Sequence, residues 1–242
     1  MVTEFHSNGS LGDVVLEKNK KFEVFNERCK EEGKLENQVF VGLNQRKVRL
    51  YLIDMLKALN YCHKVIKVIH RDIKPDNIMI NHNDEAVLID FGVSCLVGED
   101  DELNNNMGSY IFYAPEMFMR SQGSKVRGEM TDIWALGVTL FYLLTGKYPA
   151  HGAPDLMALK DMITTAEPNW IEIKHMAARE IIQRMLVKDP DNRATLTEIL
   201  ESDWVTNSGQ ETIGLTTVDS PTRDIKASFG NINRFLKSKA MG

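Results

Sequence analysis

The chain has 242 residues, 43% of them hydrophobic and 26% charged, which is the balance of a globular protein with material for a core. A net charge of −5 repels polyanions, so nucleic acid and anionic membrane surfaces are not expected partners. Three scattered cysteines, Cys29, Cys62 and Cys95, form no C-x-x-C pair, which argues against a disulfide frame or a zinc site and for a cytoplasmic or nuclear setting.

In chain order, Met1 to Phe5 reads as a short strand, and Ser7-Asn8-Gly9-Ser10 breaks it. Residues 17–38 are dense in Lys, Glu and Asn and read as a solvated helix or a loop insertion. Leu52, Met55, Leu56, Leu59 and Cys62 recur at helical spacing and predict a helix over 48–63. Short apolar runs at 68–69, 78–80 and 87–89 predict strands around a polar loop, with a turn at 81–84. Residues 94–112 look irregular, and helices are predicted over 131–145, 154–164, 175–187 and 195–201. The most apolar stretch, Ile133 to Thr145, falls short of the ~20 residues of a membrane span and reads as a core helix. After Trp204 the composition shifts to that of a tail. His6, His63, His82, His151 and His175 show no ligand spacing and read as ordinary surface or packing residues. Trp134, Trp170 and Trp204 read as core or docking residues.

The chemistry concentrates in His70-Arg71-Asp72-Ile73-Lys74-Pro75-Asp76-Asn77, followed by Asp90-Phe91-Gly92. The two segments resemble the catalytic loop and metal-binding triplet of eukaryotic serine/threonine protein kinases. The resemblance implies an α+β protein-kinase-like fold, here mainly the α-helical C-lobe with short β-hairpins around the catalytic loop. It makes Asp72 the base for the substrate hydroxyl, puts Lys74 on the transferring phosphate and makes Asn77 and Asp90 magnesium ligands. ATP and Mg2+ are the implied cofactors, and protein Ser/Thr hydroxyls are the implied acceptors. Lys74 is the residue that points to serine/threonine rather than tyrosine substrates. Ala114-Pro115-Glu116, Asp132-Ile133-Trp134 and Asp189-Pro190-Asp191-Asn192-Arg193 resemble later motifs of the family. They imply that Asp132 hydrogen-bonds the catalytic-loop backbone and that Glu116 pairs with Arg193.

Between Gly92 and Gly108 the only hydroxyl residue is Ser94, and an acidic run occupies 99–102. Either that run pairs with Arg71 in place of a phosphate, or it is a solvated loop. Ser109 stands where the family carries threonine and could bridge Asp72 and Lys74.

Ser7 to Val14 is a degenerate Gly-rich loop match and a weak one. The better alignment makes residues 1–6 the last small-lobe strand and hinge. Glu4 and His6 then face adenine, and Ser10 lies near the ribose. Residues 7–204 form the C-lobe with an insertion at about 17–45, and 205–242 form a tail. On this reading the small lobe is largely absent and the chain alone is inactive. The alternative is a pseudoenzyme scaffold or substrate-binding module. Asp90 to Ser94, Gly137 to Leu140 and Trp204 to Thr206 resemble calcium/calmodulin-dependent protein kinase kinases. Residues 223–239 carry Ile225, Phe229, Ile232, Phe235 and Leu236 on one helical stripe among basic residues. That pattern fits a calmodulin target, a docking helix or a disordered end.

Overall fold

A computed structural model describes residues 8–32, 42–97, 110–119 and 126–214. Glu4, His6, the acidic run at 99–102, Ser109 and the stripe at 223–239 lie outside the described residues.

The first element, α1 (Leu11–Glu31), starts earlier than composition suggested. Ser10 is its N-cap. The Ser10 hydroxyl accepts the Asp13 N–H at 3.1 Å, and the Asp13 carboxylate accepts the Ser10 N–H at 2.9 Å, closing a capping box. Only Leu11 and Val15 are buried, so the first turns are docked and the remainder is the solvated helix expected from its charge. Gly42 follows at φ 64°, where a Cβ would stand 2.0 Å from the Leu144 carbonyl oxygen, so only glycine fits. The Leu43 N–H then donates to the Leu143 oxygen at 2.7 Å.

Helix α2 (Gln45–Asn60) buries Leu52, Met55, Leu56 and Leu59 along the predicted stripe. It passes into a wider π-turn, Tyr61–Ile66, ended by Lys67 in the left-handed region at φ 57°. Strand β1 (Val68–Ile69) follows. Strands β2 (Ile78–Ile80) and β3 (Ala86–Leu88) form an antiparallel hairpin with Ile78 opposite Leu88. The third strand lies one residue earlier than predicted, and the Ile89 N–H carries the pairing on to the Asn77 carbonyl at 3.0 Å. Strand β4 (Cys95–Leu96), within the stretch read as irregular, pairs antiparallel with β1. A two-residue strand is too short to show a period in the sequence.

Helix α3 (Pro115–Phe118) precedes α4 (Gly128–Thr145), which buries all but Glu129 and Tyr142 and forms the axis of the core. Gly146 ends α4 at φ 74°, the left-handed cap that favours glycine. Helices α5 (Leu156–Thr165), α6 (Met176–Met185) and α7 (Leu196–Leu200) complete the lobe. Arg49 of α2 ties the end of the lobe down by donating to the Trp204 and Val205 carbonyls. Among the described residues no helix is long and apolar enough to cross a membrane.

Candidate active site

The open end of the β2–β3 hairpin gathers the polar residues of the loop that precedes it. Pro75–Asn77 is a single 3-10 turn, and the Asn77 N–H donates to the Lys74 carbonyl at 3.0 Å. The turn brings three side chains together. Lys74 Nζ lies 2.7 Å from Asp72 Oδ2. Asn77 Nδ2 donates to the same Oδ2 and to the Asp72 carbonyl, each at 2.8 Å. The Asp72 carboxylate is therefore held in one rotamer by two donors while remaining partly open to solvent.

Asp90 follows Ile89, whose N–H is bonded to the Asn77 carbonyl across the hairpin end. Asp90 is exposed and left-handed, at φ 61°, and its Oδ1 accepts the Gly92 N–H at 3.1 Å. Arg71 is left-handed too, at φ 71°. Non-glycine residues in that region carry strain of about 1–3 kcal/mol, which the surroundings must hold in place.

Asp132 of α4 does that holding. It is 1% exposed. Its Oδ1 accepts the Arg71 N–H at 2.8 Å, and its Oδ2 accepts the His70 N–H at 2.9 Å. His70 is fully buried between these groups. Its Nε2 bonds the Ile89 carbonyl at 2.9 Å, which makes that nitrogen the donor. Its Nδ1 accepts the Asp72 N–H at 3.3 Å. Both nitrogens are thus used by a neutral ring. Burial holds the imidazole below its usual range, against the pull of the Asp132 carboxylate. Phe91 packs edge-on against it at 4.7 Å.

Arg193 and Glu116 meet as the resemblance implied. The pair is bidentate, Nη1 to Oε1 and Nη2 to Oε2, both at 2.8 Å. The remaining N–H groups reach the carbonyls of Met130, Val187 and Lys188, so all five donors of a fully buried guanidinium are satisfied. Its plane also lies 5.1 Å from the Trp134 ring.

Ser10, expected near a ribose, caps α1: it is 5% exposed and its hydroxyl bonds Asp13. His63, read as an ordinary surface or packing residue, is 2% exposed and bonds Asp132 Oδ2 at 2.7 Å. The signal for it lay in the α2 pattern: His63 falls four positions after Leu59, a polar residue at the end of a buried stripe. Ser94, singled out only as a lone hydroxyl, donates to the His70 carbonyl at 3.2 Å.

A magnesium ion fits the donor set. Asn77 spends its amide nitrogen on Asp72, leaving its carboxamide oxygen, and Asp90 keeps Oδ2. Both are hard oxygen donors of the kind Mg2+ takes a few at a time.

Among known proteins, the chain is 32% identical over 178 residues to the probable serine/threonine-protein kinase MARK-A of Dictyostelium discoideum, covering 74% of this chain and 16% of that protein. It is 36% identical over 169 residues to the probable serine/threonine-protein kinase KIN1 homolog of Encephalitozoon cuniculi, covering 70% and 29%. It is 30% identical over 195 residues to sperm motility kinase 2B of Mus musculus, covering 79% and 39%. The chain thus spans well under half the length of these relatives. The family described as the protein kinase domain matches residues 3–205, a span that contains the Asp72 loop, the Asp90 turn and the Glu116–Arg193 pair, and the chain belongs to that family.

Proposed function

We propose that the chain is the catalytic lobe of an ATP-dependent serine/threonine protein kinase. The observation that carries this is the Asp72 carboxylate clamped by Lys74 Nζ and Asn77 Nδ2 at the mouth of the β2–β3 hairpin.

Asp72 accepts the proton of a protein Ser or Thr hydroxyl as its oxygen bonds to the γ-phosphorus and the bond to the ADP oxygen breaks. Phosphoryl transfer asks the protein mainly to position groups and to neutralise charge. Lys74, already on Asp72, is within reach of both the base and the incoming phosphate. Asn77 and Asp90 would hold magnesium, which supplies charge neutralisation on the phosphate oxygens when bound. Asp132 and the Glu116–Arg193 pair hold the loop and its surroundings rather than touch substrate.

Calorimetry of ATP with the purified chain, with and without Mg2+, tests the reading beside Asp90→Ala and Asp72→Asn. Magnesium-dependent binding lost in Asp90→Ala is expected, and in any preparation that transfers phosphate to a protein acceptor Asp72→Asn should abolish the transfer. Binding without transfer in the wild type would support the scaffold reading instead, and no binding by a folded chain would refute a nucleotide site in this lobe.

Three finer readings rest on sequence alone. The closeness to calcium/calmodulin-dependent protein kinase kinases rests on the segments 90–94, 137–140 and 204–206. A calmodulin contact rests on the stripe at 223–239 and is tested by titrating a 220–242 peptide with calmodulin, with and without calcium. A cytoplasmic location rests on the cysteine pattern, and Cys29, Cys62 and Cys95 are all free thiols.

A further inference from the structure

We infer that the chain binds a small carboxylate with an apolar body in a cleft between α4, α5 and the turn after α6, held by Trp134 and Lys188. The inner part of this cleft shares no lining residue with the one around Asp72, so the site stands apart from the proposed phosphoryl-transfer site.

The inner part is a cavity of about 40 Å³ walled by Val138, Met162, Ile163 and Leu186, with Trp134 of α4 and Lys188. It shares Glu167, Leu186 and Lys188 with an outer cleft of about 360 Å³, to which Trp170 and Val187 add apolar surface. A small-ligand site usually has this form, a cleft of a few hundred Å³ with an apolar lining and a few converging polar groups.

The polar side chains deep in the cleft are donors. Trp134 is 4% exposed, yet its Nε1–H has no acceptor among the described residues. Nearly all buried polar groups have a partner, so an orphaned indole N–H marks a place where an acceptor belongs. Lys188 Nζ donates to the Ile163 carbonyl at 2.7 Å, which leaves the other N–H groups of the ammonium to give. It lies 5.4 Å from the centre of the Trp134 ring, close enough for both donors to meet the two oxygens of one carboxylate. Burial lowers the Lys188 pKa, as it does for an ammonium short of countercharge, and Glu167 offsets this only in part. Glu167 is the one carboxylate among the described residues lining the inner cavity, and it is exposed and accepts the Trp170 Nε1–H at 3.2 Å. Asp189, on the outer cleft, is spent on the Asp191 N–H and the Asn192 side chain.

A carboxylate on these donors joins α4, through Trp134, to the turn that leads to Arg193. Arg193 Nη2 donates to the Lys188 carbonyl at 3.3 Å, and the guanidinium lies 5.1 Å from the same indole ring. Occupancy therefore tightens the surroundings of the Glu116–Arg193 pair.

Octanoate is the probe, titrated into the full chain below its micelle-forming range and followed by NMR at the indole N–H signals. Trp134→Phe assigns the Trp134 signal. A saturable shift of that signal is expected, with a Kd of the order of millimolar for a ligand of this size. 1-Octanol has the same chain without the carboxylate and should bind at least about tenfold more weakly. Lys188→Met keeps the stem without the charge and should weaken octanoate by a similar factor. The absence of a saturable shift would overturn the inference, as would octanol binding as tightly as octanoate or Lys188→Met binding as tightly as wild type. An equal shift at the Trp204 indole, which is bonded to Gln45 Oε1 and lines neither part of the cleft, would mean non-specific adsorption and overturn it too. If Lys188→Met does not fold, the comparison of octanoate with octanol in the wild type decides alone. None of these readings uses phosphate transfer, so this inference and the proposed function fail separately.

Discussion

Helices α1 and α4 are of similar length, 21 and 18 residues, yet they are stabilised in opposite ways. In α4 sixteen residues are buried; Asp132 is spent on the catalytic loop, while Thr131 and Thr145 bond carbonyls of the helix itself, Gly128 at 2.7 Å and Phe141 at 2.8 Å. In α1 two residues are buried, and much of its support is local: the Ser10–Asp13 capping box, the exposed Glu17–Lys21 pair and the basic residues Arg28 and Lys30 in its last turn, with Lys18 reaching out to the Gly42 carbonyl. Leu16, Val24 and Phe25 of α1 stand about half in solvent. The contrast teaches that the chemistry is mounted on the element with the most tertiary support, because a strained loop needs a rigid anchor.

Four substitutions, from the largest effect to the smallest, bear on that contrast. Glu116→Ala leaves the fully buried Arg193 guanidinium without its carboxylate at the end of α4, and the expected loss is about 3–5 kcal/mol by denaturant unfolding. A loss under ~1 kcal/mol would show the pair to be replaceable by water. Leu140→Ala, in the middle of α4 and 1% exposed, should cost about 2–5 kcal/mol with a cavity left behind. Ser10→Ala removes the α1 cap and should cost about 1 kcal/mol, read as faster amide exchange confined to the first turns of α1. If the loss spread to α4, the two helices would be one cooperative unit. Val24→Ala, 57% exposed, should stay within about 0.5 kcal/mol of wild type.

Acid should separate the same two regions. His70 has a folded pKa below its unfolded value, so its contribution is present above the ordinary histidine range. That contribution is lost as pH falls from about 6.5 toward the depressed folded value, because the unfolded chain then binds the proton first. Asp13 is also depressed, by the Ser10 N–H and hydroxyl, so the α1 cap persists until pH falls through the carboxylate range. Loop amides near His70 should therefore loosen at a higher pH than those of the first turn of α1. The reverse order, followed by NMR through an acid titration, would contradict the neutral, doubly bonded His70.

The site was legible where chemistry needs fixed residue types at fixed spacing. Asp72, Lys74, Asn77 and Asp90 stand in short segments whose contacts run over at most five positions or across one hairpin, and such distances survive in the sequence. The Glu116–Arg193 contact spans 77 positions and was reached only through resemblance, since no local pattern links the two. The helices α2 and α4 were legible from their apolar content. Strand β4 was not, being two residues long and dependent on β1 for its existence.

By itself the sequence determined the apolar period that makes the core helices and the polar types clustered at the hairpin mouth. The tertiary structure alone decided that Ser10 caps a helix, that His63 turns inward to Asp132, and that Arg71 and Asp90 adopt left-handed backbone. The physical reason is that periodicity and turn chemistry are properties of neighbours along the chain. A buried carboxylate instead recruits whatever donors packing brings to it, here from residues 61 to 69 positions away.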